Sequence, residues 1–144
     1  MSINFKTGMK LLFGSLFVKN DPKKFLNLME ANHIGILSAQ CCNSSAVAMD
    51  EELIQNVNKA MGNTSVALEI HFETITTAQK SLRSFSGKLT DSQNALVNKI
   101  MSLFQVKGLS VFPVLIINGE LAFYGGVPTV EMIQKKLVAM ENNL

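Results

Sequence analysis

Apolar residues change their spacing several times along the chain, and each change predicts an element. Phe5, Met9, Leu12 and Leu16 recur at helical spacing with Lys6 and Lys10 off the stripe, which predicts an amphipathic helix. Asp21-Pro22 is an N-cap followed by a first-turn proline, and Phe25, Leu28 and Met29 then mark one face of a second short helix. Ile34 to Leu37 is a short apolar run that reads as a buried strand, and a small polar loop follows it. Leu53, Ile54, Val57, Ala60 and Met61 share one face of the next helix, headed by Asp50-Glu51-Glu52 and stopped at Gly62. Val66 to Glu73 alternates apolar with mostly polar residues, as a half-buried strand does. Its outer face carries Glu69, His71 and Glu73 in a row. Three potential ligands at period two are also what a solvated strand face routinely carries, so the row reads as surface rather than as a metal site.

Residues 74–88 are polar and weakly patterned, which predicts a long loop. Thr90 and Gln93 form a capping-box signature that opens a helix with Leu96, Val97, Ile100, Met101 and Phe104 inward and Gly108 at its end. The methionines on these helices serve as core filler. Val111 to Ile117 is almost continuously apolar, as expected of a strand buried on both faces. Proline donates nothing to a ladder, so Pro113 belongs at the head of that strand, with a cis peptide bond after Phe112 as the expected geometry. Asn118-Gly119 is a strong hairpin turn signal, and Glu120 to Tyr124 returns antiparallel until Gly125-Gly126 breaks it. Val127-Pro128-Thr129 launches a last helix with Ile133, Leu137 and Met140 inward.

Composition narrows the classes of function. A chain of 144 residues with 47% apolar and 17% charged positions folds as one domain with a sizeable core. The net charge of +2, without a basic stripe interleaved with aromatics, argues against nucleic acid as a partner. The apolar run Leu11 to Val18 is closed by Lys19, is followed by no small-residue cleavage site, and is too short to span a bilayer. Export and membrane attachment are therefore not expected. Residues 1–32 read as a helical N-terminal extension that packs on the domain or joins two copies as a homodimer, and residues 33–144 as the domain proper.

The chemistry concentrates at Cys41 and Cys42, the two cysteines of the chain. Adjacent residues cannot staple a fold, and a bridge between them would be strained, so free thiols in a reducing, cytoplasmic compartment are expected. Their neighbours Gln40, Asn43, Ser44 and Ser45 are too polar for a core. A thiol at a strand-to-helix turn lies near unsatisfied N–H groups, which favour thiolate. His33 reads as a strand-edge residue without a role. No Ser-His-Asp set, phosphate-binding glycine loop or acid pair is present. A thiol function and a cysteine-independent interaction module both remain open on these residues.

The order of elements, with the thiol loop after the first strand and the proline before the hairpin, resembles the thioredoxin fold in its short glutaredoxin-like form, βαβαββα, over residues 33 to about 140. The resemblance implies that Cys41, Cys42, Phe112 and Pro113 meet at one surface point, and that Gly125 and Gly126 help to hold glutathione. Cys41-Cys42-Asn43-Ser44 has the C-x-x-S spacing of monothiol forms, without a resolving thiol in the usual place, and Val111-Phe112 stands where the family usually has Thr-Val. Within that fold, the vicinal pair followed by Asp50, and the stretch from Pro113 through Gly119 to Pro128, are similar to the ArsD family of arsenic metallochaperones. That family's third cysteine is Val47 here. The resemblance implies a thiol protein in which Cys41 and Cys42 carry out monothiol-type redox exchange or bind As(III) or Sb(III). A small thiol such as glutathione, or a protein thiol, would be the partner. The alternative is a non-catalytic thioredoxin-fold module that binds a protein.

Overall fold

Strand β1 (His33–Ser38) lies at the centre of the molecule and pairs in parallel with β2 (Glu69–Thr74). On its other side it pairs antiparallel with β3 (Val114–Ile117), and β4 (Glu120–Phe123) returns along β3. The result is a four-stranded mixed sheet in the order β2-β1-β3-β4. Helices α1 (Ala46–Thr64), α2 (Ile75–Ser84), α3 (Asp91–Lys107) and α4 (Val130–Asn142), with short 3₁₀ helices at Lys24–Met29 and Gly108–Val111, complete it. The computed structural model describes residues 23–142; the helix expected over Phe5 to Leu16 lies outside them. The architecture is α/β and compatible with a thioredoxin-like fold. No helix among the described residues is long and apolar enough to cross a membrane.

Several local expectations hold, each for a visible reason. Gln93 N donates to Thr90 Oγ1 at 3.2 Å and Thr90 N to Gln93 Oε1 at 2.9 Å, so both halves of the capping box form at the start of α3. Asn118 (φ 55°) and Gly119 (φ 78°) take the left-handed conformations that a tight two-residue hairpin turn needs. Pro113 immediately precedes β3, and the Phe112–Pro113 peptide bond is cis.

Two elements depart from expectation. The stretch 74–88 is not a loop, because Ile75–Ser84 is a helix and the element order is βαβααββα. Thr74 caps it by accepting from Thr77 N at 3.2 Å, and Ile75, Ala78 and Leu82 form a sparse apolar stripe among polar residues. Helix α1 starts at Ala46 rather than at Asp50, and runs through Gly62 to end where Ser65 turns left-handed (φ 58°). Asp50 is not a helix-head surface charge: it points inward and is 1% exposed.

The alternation of β1 assigns its side chains to two layers. Ile34 and Ile36, with Leu115 and Ile117 of β3, pack against Leu53, Val57 and Ala60 of α1 and Ile133 and Leu137 of α4. Leu37, Val114 and Ile116 face the opposite way, onto Phe25, Leu28, Ile75, Leu96, Ile100 and Phe112. Burying each large aliphatic side chain contributes about 1.5–3 kcal/mol before entropy is counted. On this second face the 3₁₀ helix sits directly on β1. A Cβ on Gly35 would lie 2.8 Å from Leu28 Cα, so only glycine permits the approach. Residues 24–29 therefore belong to the packed unit, and the boundary drawn at residue 33 falls inside it.

The expected row on β2 also divides. Glu69 is exposed, whereas Glu73 is 4% exposed because the 3₁₀ helix covers that end of the strand. Lys24 Nζ stands 3.8 Å from its carboxylate. Burial pushes the Glu73 carboxyl up, and Lys24 only partly offsets it.

Candidate functional site

β1 ends at Ser38 and the chain turns sharply, with Cys42 N and Asn43 N both donating to Ala39 O at 2.9 Å. Asn43 Oδ1 then accepts from Ser45 N at 3.1 Å and Ser45 Oγ at 2.7 Å, closing an Asx turn that leads into α1. The turn leaves both thiols free and exposed. Their sulfurs converge: Cys41 Sγ and Cys42 Sγ are 3.1 Å apart.

Both sulfurs address one hydroxyl. Thr76 Oγ1, in the first turn of α2, donates to Cys41 Sγ at 3.0 Å and lies 3.8 Å from Cys42 Sγ. Slight burial works against ionisation of Cys41, but hydrogen bonds from the Thr76 hydroxyl, the Cys42 thiol and the Thr76 backbone hold it below the ordinary cysteine value. Cys42 is raised, first because its hydrogen bond to Cys41 requires the proton to stay on it. The pair is therefore asymmetric, with Cys41 the readier thiolate and Cys42 its proton-bearing neighbour. Sequence reasoning placed the cysteines at the head of α1. The hydroxyl and backbone that stabilise the Cys41 thiolate come instead from the head of α2.

A buried polar network supports the turn from below. Ser38 Oγ makes a short hydrogen bond to Asp50 Oδ2, Gln40 Nε2 donates to the same oxygen at 2.8 Å, and Gln40 N donates to Ser38 Oγ at 3.0 Å. Ser38 continues the face of β1 that holds Ile34 and Ile36, and Asp50 continues the buried stripe of α1. One carboxylate thus fastens the last strand residue, the stem of the turn and the helix behind it. Thr76, Ser38 and Gln40 carried no role in the sequence reading. The usable signal was Thr74-Ile75-Thr76-Thr77, whose hydroxyls suit a helix cap as well as a loop.

The remaining expected site residues lie close to this end of the sheet. The β1–β3 register pairs Leu37 with Val114, and one further step sets Pro113 beside Ser38. Gly125 N donates to Val111 O at 2.7 Å, which ties the glycine pair to the segment entering Pro113. Gly125 adopts φ 80°, and no atom lies within 4 Å of a Cβ built on Gly126. Phe112 turns its ring into the core, edge-on to Phe104 at 5.3 Å. Val47, at the position of the absent third cysteine, is 40% exposed in the first turn of α1.

No protein-family model, no curated protein and no solved structure matches the chain.

Proposed function

We propose that the chain is a thioredoxin-like thiol protein whose Cys41 and Cys42 together capture a soft, thiophilic ion such as trivalent arsenic or antimony. The strand order, the thiol turn at the end of β1 and the place of Pro113 beside that turn support the fold part of this reading. The observation that carries the function is the convergence of two exposed sulfurs 3.1 Å apart. An ion about 2.3 Å from each sulfur would see them at roughly 85°, whereas a tetrahedral ion needs them about 3.8 Å apart. The near-right angle suits a pyramidal trivalent centre. Such an ion, arriving as a trihydroxide, exchanges two hydroxyls for two sulfurs without any change of oxidation state. Each hydroxyl leaves as water with the proton of the thiol that replaces it, or with a solvent proton where the sulfur is already a thiolate. Val47 supplies no third sulfur, so a small thiol such as glutathione displaces the last hydroxyl as a third water.

Arsenite titration followed by sulfur-to-arsenic absorption tests this reading. Either Cys41→Ser or Cys42→Ser should weaken binding at least roughly tenfold, since each removes one of only two protein ligands. Glutathione should tighten binding to the parent chain, and Val47→Cys should replace that need. Equal binding by Cys41→Ser and the parent would end the bidentate reading.

The asymmetry of the pair favours a second reading, monothiol exchange. Here the Cys41 thiolate attacks a disulfide of glutathione or of a protein, forms a mixed disulfide and expels the other sulfur as thiolate. In that case Cys42→Ser retains exchange and Cys41→Ser abolishes it.

A further inference from the structure

At the other end of β1, away from the thiols, the two histidines of the chain come together with a carboxylate. The parallel register sets His33 opposite Glu69 and Gly35 opposite His71, which puts all three side chains on one face of the sheet. His33 Nε2 is 3.6 Å and His71 Nε2 3.8 Å from Glu69 Oε2. The two imidazole rings lie 4.6 Å apart, tilted by 44°.

These separations are too long for hydrogen bonds and close to those of ligands around a common ion. Three donors about 2.0–2.1 Å from a tetrahedral centre stand roughly 3.3–3.4 Å apart. The donor atoms all lie within 4.8 Å of one another. An ion seated between the two imidazoles would draw in the Glu69 side chain, which is 68% exposed, while the imidazoles themselves turn towards it. The buried His71 Nε2, which faces that carboxylate, has no hydrogen-bond partner, and neither does the buried Nδ1 of His33. The backbone of His33 is firmly held: its carbonyl accepts from Asn118 N at 2.9 Å. Glu73, which the sequence pattern grouped with Glu69 and His71, is buried beside Lys24 instead, and His33 takes its place.

We propose that His33, Glu69 and His71 form a binding site for a divalent transition ion of the zinc class, separate from the thiol pair. Two imidazoles and one carboxylate are the donors such an ion prefers over calcium or magnesium, which take oxygen, and over cuprous ion, which takes sulfur. Three protein ligands leave one position for solvent.

The thiols would compete for the same ion, so the test uses the full chain carrying Cys41→Ser and Cys42→Ser. Zinc titration by calorimetry should show one ion per chain. His71→Gln should weaken it by roughly a hundredfold, since even residues that only support a ligand are worth 10–100-fold. Glu69→Gln, at an exposed position where folding is not in question, should weaken it by roughly tenfold or more, and Glu73→Gln should leave it unchanged. With only two histidines in the chain, nitrogen NMR of the side chains reads the site directly, and zinc should move the ring signals of both. Absence of saturable binding, unchanged affinity in Glu69→Gln, or a ring signal of either histidine that ignores zinc would overturn the proposal. Failure of arsenite capture at the cysteines leaves this result untouched, because those residues are absent from the test protein.

Discussion

The two faces of the sheet are built on different terms. One is apolar at its centre: Ile34, Ile36, Leu115 and Ile117 meet α1 and α4, with Ser38 and Asp50, bonded to each other and to Gln40, as buried polar residues at its edge. The other accepts a glycine under a 3₁₀ backbone, a buried glutamate, and two histidines beside a carboxylate, and it supports the helix whose first turn touches Cys41. Among the described residues, most of the unsatisfied chemistry lies on the second face, where His33 Nδ1, His71 Nε2 and both Glu73 carboxylate oxygens lack a hydrogen-bond partner, against Asp50 Oδ1 on the first. A polar group is costly to bury unless partnered. A protein with one well-packed layer can therefore carry several imperfectly satisfied groups in the other.

The contrast can be broken from either side. Leu53→Ala opens a cavity in the fully buried first layer and should cost about 3–4 kcal/mol in denaturant titration. It should leave the relative reactivity of Cys41 and Cys42 unchanged in the fraction that remains folded. Gly35→Ala drives a methyl into the Leu28 backbone and should cost about 2–3 kcal/mol by the same measurement. A loss as large as that of Leu53→Ala would mean that the 3₁₀ cover is as rigid as the helical layer.

Smaller effects sharpen the comparison. With Cys41 lowered and Cys42 raised, alkylation assigned by mass spectrometry should label Cys41 first at neutral pH and retain that preference as pH falls. Thr76→Val should slow Cys41 by roughly three- to tenfold, the scale of one hydrogen bond at an exposed sulfur. No change would remove Thr76 from the account of the thiolate. An effect of similar size, read in stability rather than reactivity, is expected at Glu73. Its folded-state pKa lies above the unfolded one, so its contribution is fully present below the ordinary glutamate value and is lost as pH rises through the raised one. Glu73→Gln should therefore stabilise the protein by about 1 kcal/mol near neutral pH, with the gain vanishing in acid.

What the sequence discloses follows from the range of the interaction involved. The capping box at Thr90 and Gln93 and the Asn118-Gly119 turn depend on residues next to one another, and both were readable. The apolar stripes of α1, α3 and α4 were readable because their periodicity repeats over several turns. Helix α2 was not, since Ile75, Ala78 and Leu82 are too sparse to stand out from a polar stretch. The start of α1 was misplaced because Asp50 looks the same as a cap residue whether it faces water or Ser38. The vicinal thiols were visible, but their helical partner was not, since Thr76 reaches Cys41 only through the parallel pairing of β1 and β2. The same pairing assembles His33 with Glu69 and His71, which a strand-by-strand reading assigned to separate elements.

The contact between Thr76 and Cys41 spans 35 positions of chain. An exposed cysteine ordinarily reacts at much the same rate whether the protein is folded or denatured, and a core cysteine reacts faster once released. Cys41 should do the opposite. Its heightened nucleophilicity exists only while β1, β2 and the head of α2 are assembled, so denaturation near neutral pH should make an already accessible sulfur slower. Labelling kinetics at this one atom thus serve as an inverted gauge of native structure, and a brief opening of the β1–β2 edge would register as a pause in the reaction.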